Sequence, residues 1–259
     1  MKIDLEKAKE EFMKYTSNYD LTNSNIDRKK YHSFRVMEIS KEITTDMKLK
    51  QEDIELAALI GLLHDIARFE QYKQFKTFND LESFDHGNYG VKILFEDGMI
   101  RKFVETNKYD EIIKKSIKNH NKFKIETGLT EIEELFAKII RDADKIDIIY
   151  EGIEIFWKNQ EEKINNSVIS EKIWNQIKEE QLVKREKGIK LENIDSVLSV
   201  IAFIYDINFK ESFKLLQEKN YINLVLNRFD LKNKNSKNKI EKIKKNINGY
   251  IQEKIKDGK

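Results

Sequence analysis

Apolar positions recur at three- and four-residue steps along most of the chain, the spacing that draws one stripe down a helix. The segment from position 2 to 15 reads as a first helix, followed by the polar loop "SNYDLTNSN" at 17–25. A second helix is predicted from about Asp27 to Met47, with Val36, Ile39, Ile43 and Met47 on one face and His32 a turn before Val36 on that face. The third, about Glu52 to Arg68, holds the most apolar run of the chain, "LAALIGLL" at 56–63, and closes on adjacent His64 and Asp65. Its Gly61 is expected to admit a close neighbour, the helix carrying His32. After it, "EQYKQFKTFNDLESFD" at 70–85 is irregular and aromatic and predicts a lid or pocket loop.

His86 opens the next helix, "HGNYGVKILFE". In "YDEIIKKSIKNHN" at 109–121, Ile113, Ile117 and His120 share a face. Thr130 and Glu133 have capping-box spacing at the start of "TEIEELFAKIIRDADKIDIIY", where Phe136, Ile140 and Asp144 share an inward face. Asp142 lies roughly 200° round the helix from Asp144 and is expected to meet solvent. Asp147 follows Asp144 by one turn. Beyond Tyr150 the pattern predicts amphipathic helices near 167–186, 193–208, 209–228 and 236–257, the last repeating Ile240, Ile243, Ile247, Ile251 and Ile255. No alternation with hairpin signals and no fixed repeat occurs, so the expected class is an all-α bundle.

Composition sharpens this. The 259 residues include no proline and nine glycines, so helix breakers are few. With no cysteine, disulfides, thiolate metal sites and cysteine nucleophiles are excluded, and any metal must be held by His, Asp, Glu or water. The 48 Lys and Arg nearly balance 46 Asp and Glu, which argues against nucleic acid as a partner of the whole molecule. Segment 231–259 is locally basic, ten Lys against three acids, and reads as a docked helix with a solvated lysine face or as a nucleic-acid tail. The longest apolar run is short of the roughly 20 residues that span a bilayer, and the N-terminal residues mix acid and base where a signal peptide is apolar. A soluble cytoplasmic protein with no membrane partner is expected.

All four histidines, His32, His64, His86 and His120, lie on or beside apolar faces in one stretch of the chain. A lone inward histidine reads as a hydrogen-bonded core residue. Four of them, with Asp65 beside one and Asp144 facing inward, read as metal ligands, because buried unpaired carboxylates cost several kcal/mol. Imidazole and carboxylate suit Fe, Mn, Co, Ni or Zn, and a carboxylate can span ions about 3.5–4 Å apart.

The order His32, His64-Asp65, Asp144 resembles the H…HD…D signature of the HD superfamily of metal-dependent phosphohydrolases. With His86 and His120 between, the pattern becomes H…HD…H…H…D, similar to small bacterial two-metal members. The resemblance covers about residues 25–150. It implies an HD-domain helical bundle. Residues 1–150 are expected to form the metal-binding catalytic core, N-terminal helix included, and 151–259, which no motif assigns, to be additional C-terminal helices packed on the core and not an independent domain. The resemblance implies that His32, His64, Asp65 and Asp144 hold a first metal, and that Asp65 bridges to a second held by His86 and His120. The implied activity is hydrolysis of a phosphoester or phosphoanhydride of a small nucleotide-like substrate by a metal-activated hydroxide. Two alternatives stay open: a one-metal HD nucleotidase, with His86 and His120 on phosphate, and a non-catalytic nucleotide sensor.

Arg68 matches the basic residue after HD in many relatives and reads either as a phosphate clamp or as a cation at a helix C-terminus. This chain has "HDIAR" where many relatives have "HDIGK". Lys145 reads similarly, with the surface role preferred, and Asp147 reads as a residue that orients a ligand histidine or assists proton transfer. Glu70, Asn79, Asp80 and Asn121 border the expected pocket and read as ordinary loop polar residues.

Overall fold

Every regular element among the described residues, 3–184 and 191–257, is helical. The computed structural model divides into two compact units, Met1–Asp144 and Lys145–Lys259. The first contains α1 (Leu5–Thr16), α2 (Ser24–Asp46), α3 (Gln51–Leu63), α4 (Ala67–Phe75), α5 (His86–Val91), α6 (Ile100–Phe103) and α7 (Asp110–Asn119). The division falls within α8 (Glu131–Glu154). Position 2, where the first helix is predicted to begin, lies outside the described residues.

Helix α3 is the centre of the first unit. Every residue from Ile54 to Leu63 is buried, and α3 packs against α1, α2 and α7. At about 1.5–3 kcal/mol for each fully buried large aliphatic side chain, this run dominates the local stability. Gly61 meets its expected neighbour: a Cβ there would stand 2.9 Å from Met37 Cα and from Val36 O of α2. The backbones of α2 and α3 therefore touch, which brings His32 beside His64. Phe12 of α1 closes the other side, edge-on to Phe69 at 5.9 Å.

Three expectations are corrected here. The helix predicted to run to Arg68 stops at Leu63, turns through His64 to Ile66 and resumes as α4, so residues 70–75 are helical and the irregular segment begins later. Bonds from Ile66 N–H to Leu63 O and from Arg68 N–H to Asp65 O replace the helical pattern in that turn. Asp142 is buried, not solvated. It shares its side of α8 with Ile139 and Ile146, both also buried, so α8 presents a second apolar stripe beside Phe136 and Ile140. The Thr130–Glu133 capping box forms as expected, with Thr130 N–H donating to Glu133 Oε2 at 2.8 Å.

The second unit contains α9 (Glu161–Asn165), α10 (Glu171–Lys178), α11 (Asn193–Ile201, continued by a 3₁₀ turn to Asp206), α12 (Lys210–Lys219), α13 (Tyr221–Asn227) and α14 (Lys234–Asp257). Ile240, Ile243, Ile247 and Ile251 of α14 are buried, and α14 packs on α10, α12 and α13. The helix predicted over 209–228 is split by Asn220, which takes the left-handed conformation at φ 53° that ends many helices. The predicted 167–186 helix is shortened to α10, and its positions 185 and 186 lie outside the described residues. No helix among the described residues is long and apolar enough to cross a membrane.

Candidate metal centre

Two of the four histidines occupy the same local frame. His64 directly follows the last residue of α3 and donates Nδ1–H to Gly61 O at 2.7 Å; His120 directly follows α7 and donates Nδ1–H to Ile117 O at 2.7 Å. A helix end leaves its last carbonyls without intrahelical partners, and here one of them fixes each ring. His86 is the first residue of α5, whose start is capped by Asp85, and donates Nδ1–H to Asp80 Oδ2 at 2.6 Å. In all three the Nδ1 bond leaves the Nε2 lone pair facing inward, as metal-ligating histidines require.

The Nε2 atoms converge in two pairs. His32 and His64 stand 3.3 Å apart, and both face Asp144 Oδ1, at 3.1 and 3.5 Å. His86 and His120 stand 2.9 Å apart. Asp65 lies between the pairs: its Oδ2 is 3.5 Å from His32 Nε2 and 3.6 Å from His64 Nε2, while its Oδ1 is 3.4 Å from His86 Nε2 and 3.6 Å from His120 Nε2. The groups His32, His64, Asp144 and His64, Asp65, His120 can each hold a metal ion.

Electrostatics fit a cation there. Burial pushes the His64 imidazole below its ordinary value despite neighbouring Asp65 and Asp144, and burial with the Arg68 charge lowers His86 to about 3. The His86 ring is therefore neutral near pH 7. The Nε2 atoms of His86 and His120 face each other at 2.9 Å, each with its Nδ1 engaged elsewhere. A divalent ion would take both as ligands. Burial works to raise the Asp65 carboxyl, but the charges of Lys29 and Arg68 help to hold the group well below the usual carboxylate range. Burial works to raise Asp144 as well, but the hydrogen bond from His32 helps to hold it well below that range. Both acids stand ionised.

Residues 30–149 match the protein family described as HD domain. The chain carries an HD domain. No curated protein and no solved structure matches the chain. HD domains bind divalent metals, and the groups above could hold one.

The HD domain secures its second histidine pair through a network that the sequence reading passed over. Asp80, read as an ordinary loop residue, joins His86 Nδ1 to Arg68 Nη1 at 3.0 Å, Gln71 Nε2 at 2.9 Å and Asn121 Nδ2 at 3.0 Å. Its carboxyl is lowered by the His86 hydrogen bond and the Arg68 charge, against burial. Arg68 Nη1 also donates to Gln71 Oε1 at 2.7 Å and Phe78 O at 2.6 Å, and Nε lies 3.4 Å from Asp65 Oδ1. Arg141 Nη1 donates to the carbonyls of Asn119, His120 and Lys122, pinning the backbone around His120 to α8. Lys29, one turn before His32 on α2, is buried and donates to Asp65 Oδ2 at 2.7 Å.

The remaining candidates lie as follows. Asp147 is buried on α8, three residues beyond Asp144. Lys145, for which a surface role was preferred, is buried and paired with Asp206 at 2.8 Å. Glu70 accepts from Tyr19 Oη at 3.2 Å, and Asn79 caps the short 3₁₀ turn Asp80–Glu82 through Leu81 N–H. Glu70, expected in a loop, lies instead within α4, whereas Asn79 is the ordinary loop residue expected.

Proposed function

We propose that the protein is a dinuclear phosphohydrolase that cleaves a phosphoester or phosphoanhydride of a small nucleotide-like substrate. The observation that carries this reading is the division of Asp65, with one oxygen toward His32 and His64 and the other toward His86 and His120. In this reading His32, His64, Asp65 and Asp144 hold one ion, and Asp65, His86 and His120 a second. When bound, divalent ions supply Lewis-acid chemistry, acidifying water and offsetting charge on the attacking and leaving oxygens.

The chain's own residues do the rest. Asp65 fixes the spacing of the two ligand groups. The Gly61, Ile117 and Asp80 acceptors hold the imidazoles in the tautomer that ligates. Arg68 steadies Asp80 and Asp65 and carries its remaining Nη2 donors toward a phosphate oxygen, the bidentate role suited to guanidinium. Asp147 orients a ligand histidine or takes up a proton during turnover.

The test is a panel of phosphomonoesters, phosphodiesters and nucleotides, assayed for orthophosphate or nucleoside release with protein loaded with Mn²⁺, Fe²⁺ or Co²⁺. Hydrolysis of at least one nucleotide-like member is expected, with near-complete loss in Asp65→Ala and His64→Ala. Near wild-type hydrolysis by either variant would sink the reading. Nucleotide binding without hydrolysis across the panel would establish the sensor alternative instead.

A further inference from the structure

The ammonium of Lys29 stands against the carboxylate that the proposed function shares between two ions, and it makes no other hydrogen bond among the described residues. Nζ lies 2.7 Å from Asp65 Oδ2, the oxygen that faces His32 and His64, and both side chains are almost wholly buried. An ammonium has three donors, and this one spends a single donor on Asp65. The cation also lies near the Phe78 ring, whose centroid is 5.8 Å away; Arg28 and Arg68 lie at comparable distances from the same ring. The half-buried Phe78 thus offers a second resting surface for the Lys29 cation beside the centre.

We propose that Lys29 couples metal loading to phosphate capture, leaving Asp65 Oδ2 for a phosphate oxygen when a divalent ion occupies the His32 and His64 side. The inference rests on the function proposed above and adds a residue to it. A lysine and a metal ion compete for the electron density of one carboxylate oxygen, and the two cations repel each other across it. A buried ammonium that loses its carboxylate partner needs another anion, because burying it unpaired is costly. A phosphate ligand brought to the same ions supplies that anion within reach of the Lys29 stem. Lys29 is a positioning residue for the anion and a competitor for the ion, two roles with opposite signatures on removal.

The experiment strips the protein with a chelator, titrates Mn²⁺ by calorimetry, then titrates inorganic phosphate into the manganese-loaded form. Wild type, Lys29→Met and Lys29→Gln are compared, with helical circular dichroism as the check on folding. In both variants manganese affinity is expected to equal or exceed that of the wild type, while phosphate affinity falls by about tenfold, as for the loss of one charge-assisted hydrogen bond. A purely structural partner for Asp65, or a damaged fold, weakens manganese binding, and weaker manganese binding in both variants overturns the proposal. Unchanged phosphate affinity overturns it too, as does a wild-type protein that takes up manganese without binding phosphate. Because the readout is equilibrium binding, absence of hydrolysis by the wild type would count against the proposed function and leave this result standing.

Discussion

The two histidine pairs are built by different means. His32 projects from α2 and His64 stands just past the end of α3, two helices whose backbones meet at Gly61, and Asp144 projects from the long α8, so packed helices fix the first pair and its carboxylate. His86 and His120 stand at the start of the short α5 and just past the end of α7, and a polar network around Asp80 holds one of them in place. The first pair has a carboxylate of its own, Asp144, whereas the second has only its share of Asp65. Where ligand charge is greater and the frame stiffer, an ion is held more tightly. The first side should therefore fill first, and the second should respond to changes in the loop that leave the core intact.

Asp80→Ala removes the acceptor that fixes the His86 ring. Loss of such an orienting group typically costs about 10–100-fold in metal affinity. Calorimetric titration should place that loss on the weaker of two binding steps, with the stronger step unmoved. An equal loss at both steps would erase the distinction between a core-built and a loop-built side.

Gly61→Ala acts on the other side. The added methyl meets backbone atoms of α2 at 2.9 Å, and overpacking of this kind costs about 1–3 kcal/mol. Chemical denaturation should show that loss of stability, together with weakening of the stronger metal step. Gly249→Ala gives the smallest effect and the opposite sign. Gly249 is exposed within α14 with nothing within 4 Å of an added Cβ, so alanine there should stabilise by about 0.5–1 kcal/mol through helix propensity alone. A gain at Gly61 or a loss at Gly249 would show that the helix contacts differ from those described.

Much of this arrangement is legible in the amino-acid sequence. His32, Ile113, Ile117 and His120 follow helical spacing, and the apolar run before His64 announces a buried frame. Gly61 also announced its neighbour, because a residue without Cβ in a buried helix implies close approach. What the pattern hid has physical reasons. The break after Leu63 escaped notice because the i→i+3 bonds of the turn keep Ile66, Ala67 and Phe69 buried, so apolar periodicity runs on through it. Asp80 looks like any loop acid, since its role depends on a fold that carries residues 80 and 86 back over α4. Lys29 sits at the inward i−3 position from His32, but lysine at such a position ordinarily extends to solvent. Asp142 was misplaced by assuming a single apolar stripe on α8, although Ile139 and Ile146 flank it.

The central claim is that one carboxylate serves two metal sites, and metal stoichiometry tests it most directly. Protein purified without added metal, then saturated with Mn²⁺ or Co²⁺ and desalted, is to be measured by elemental analysis beside the double variant His86→Ala, His120→Ala. Two equivalents per chain in the wild type and one in the variant are predicted. One equivalent in both proteins would contradict the account and leave the His86 and His120 pair with a different task.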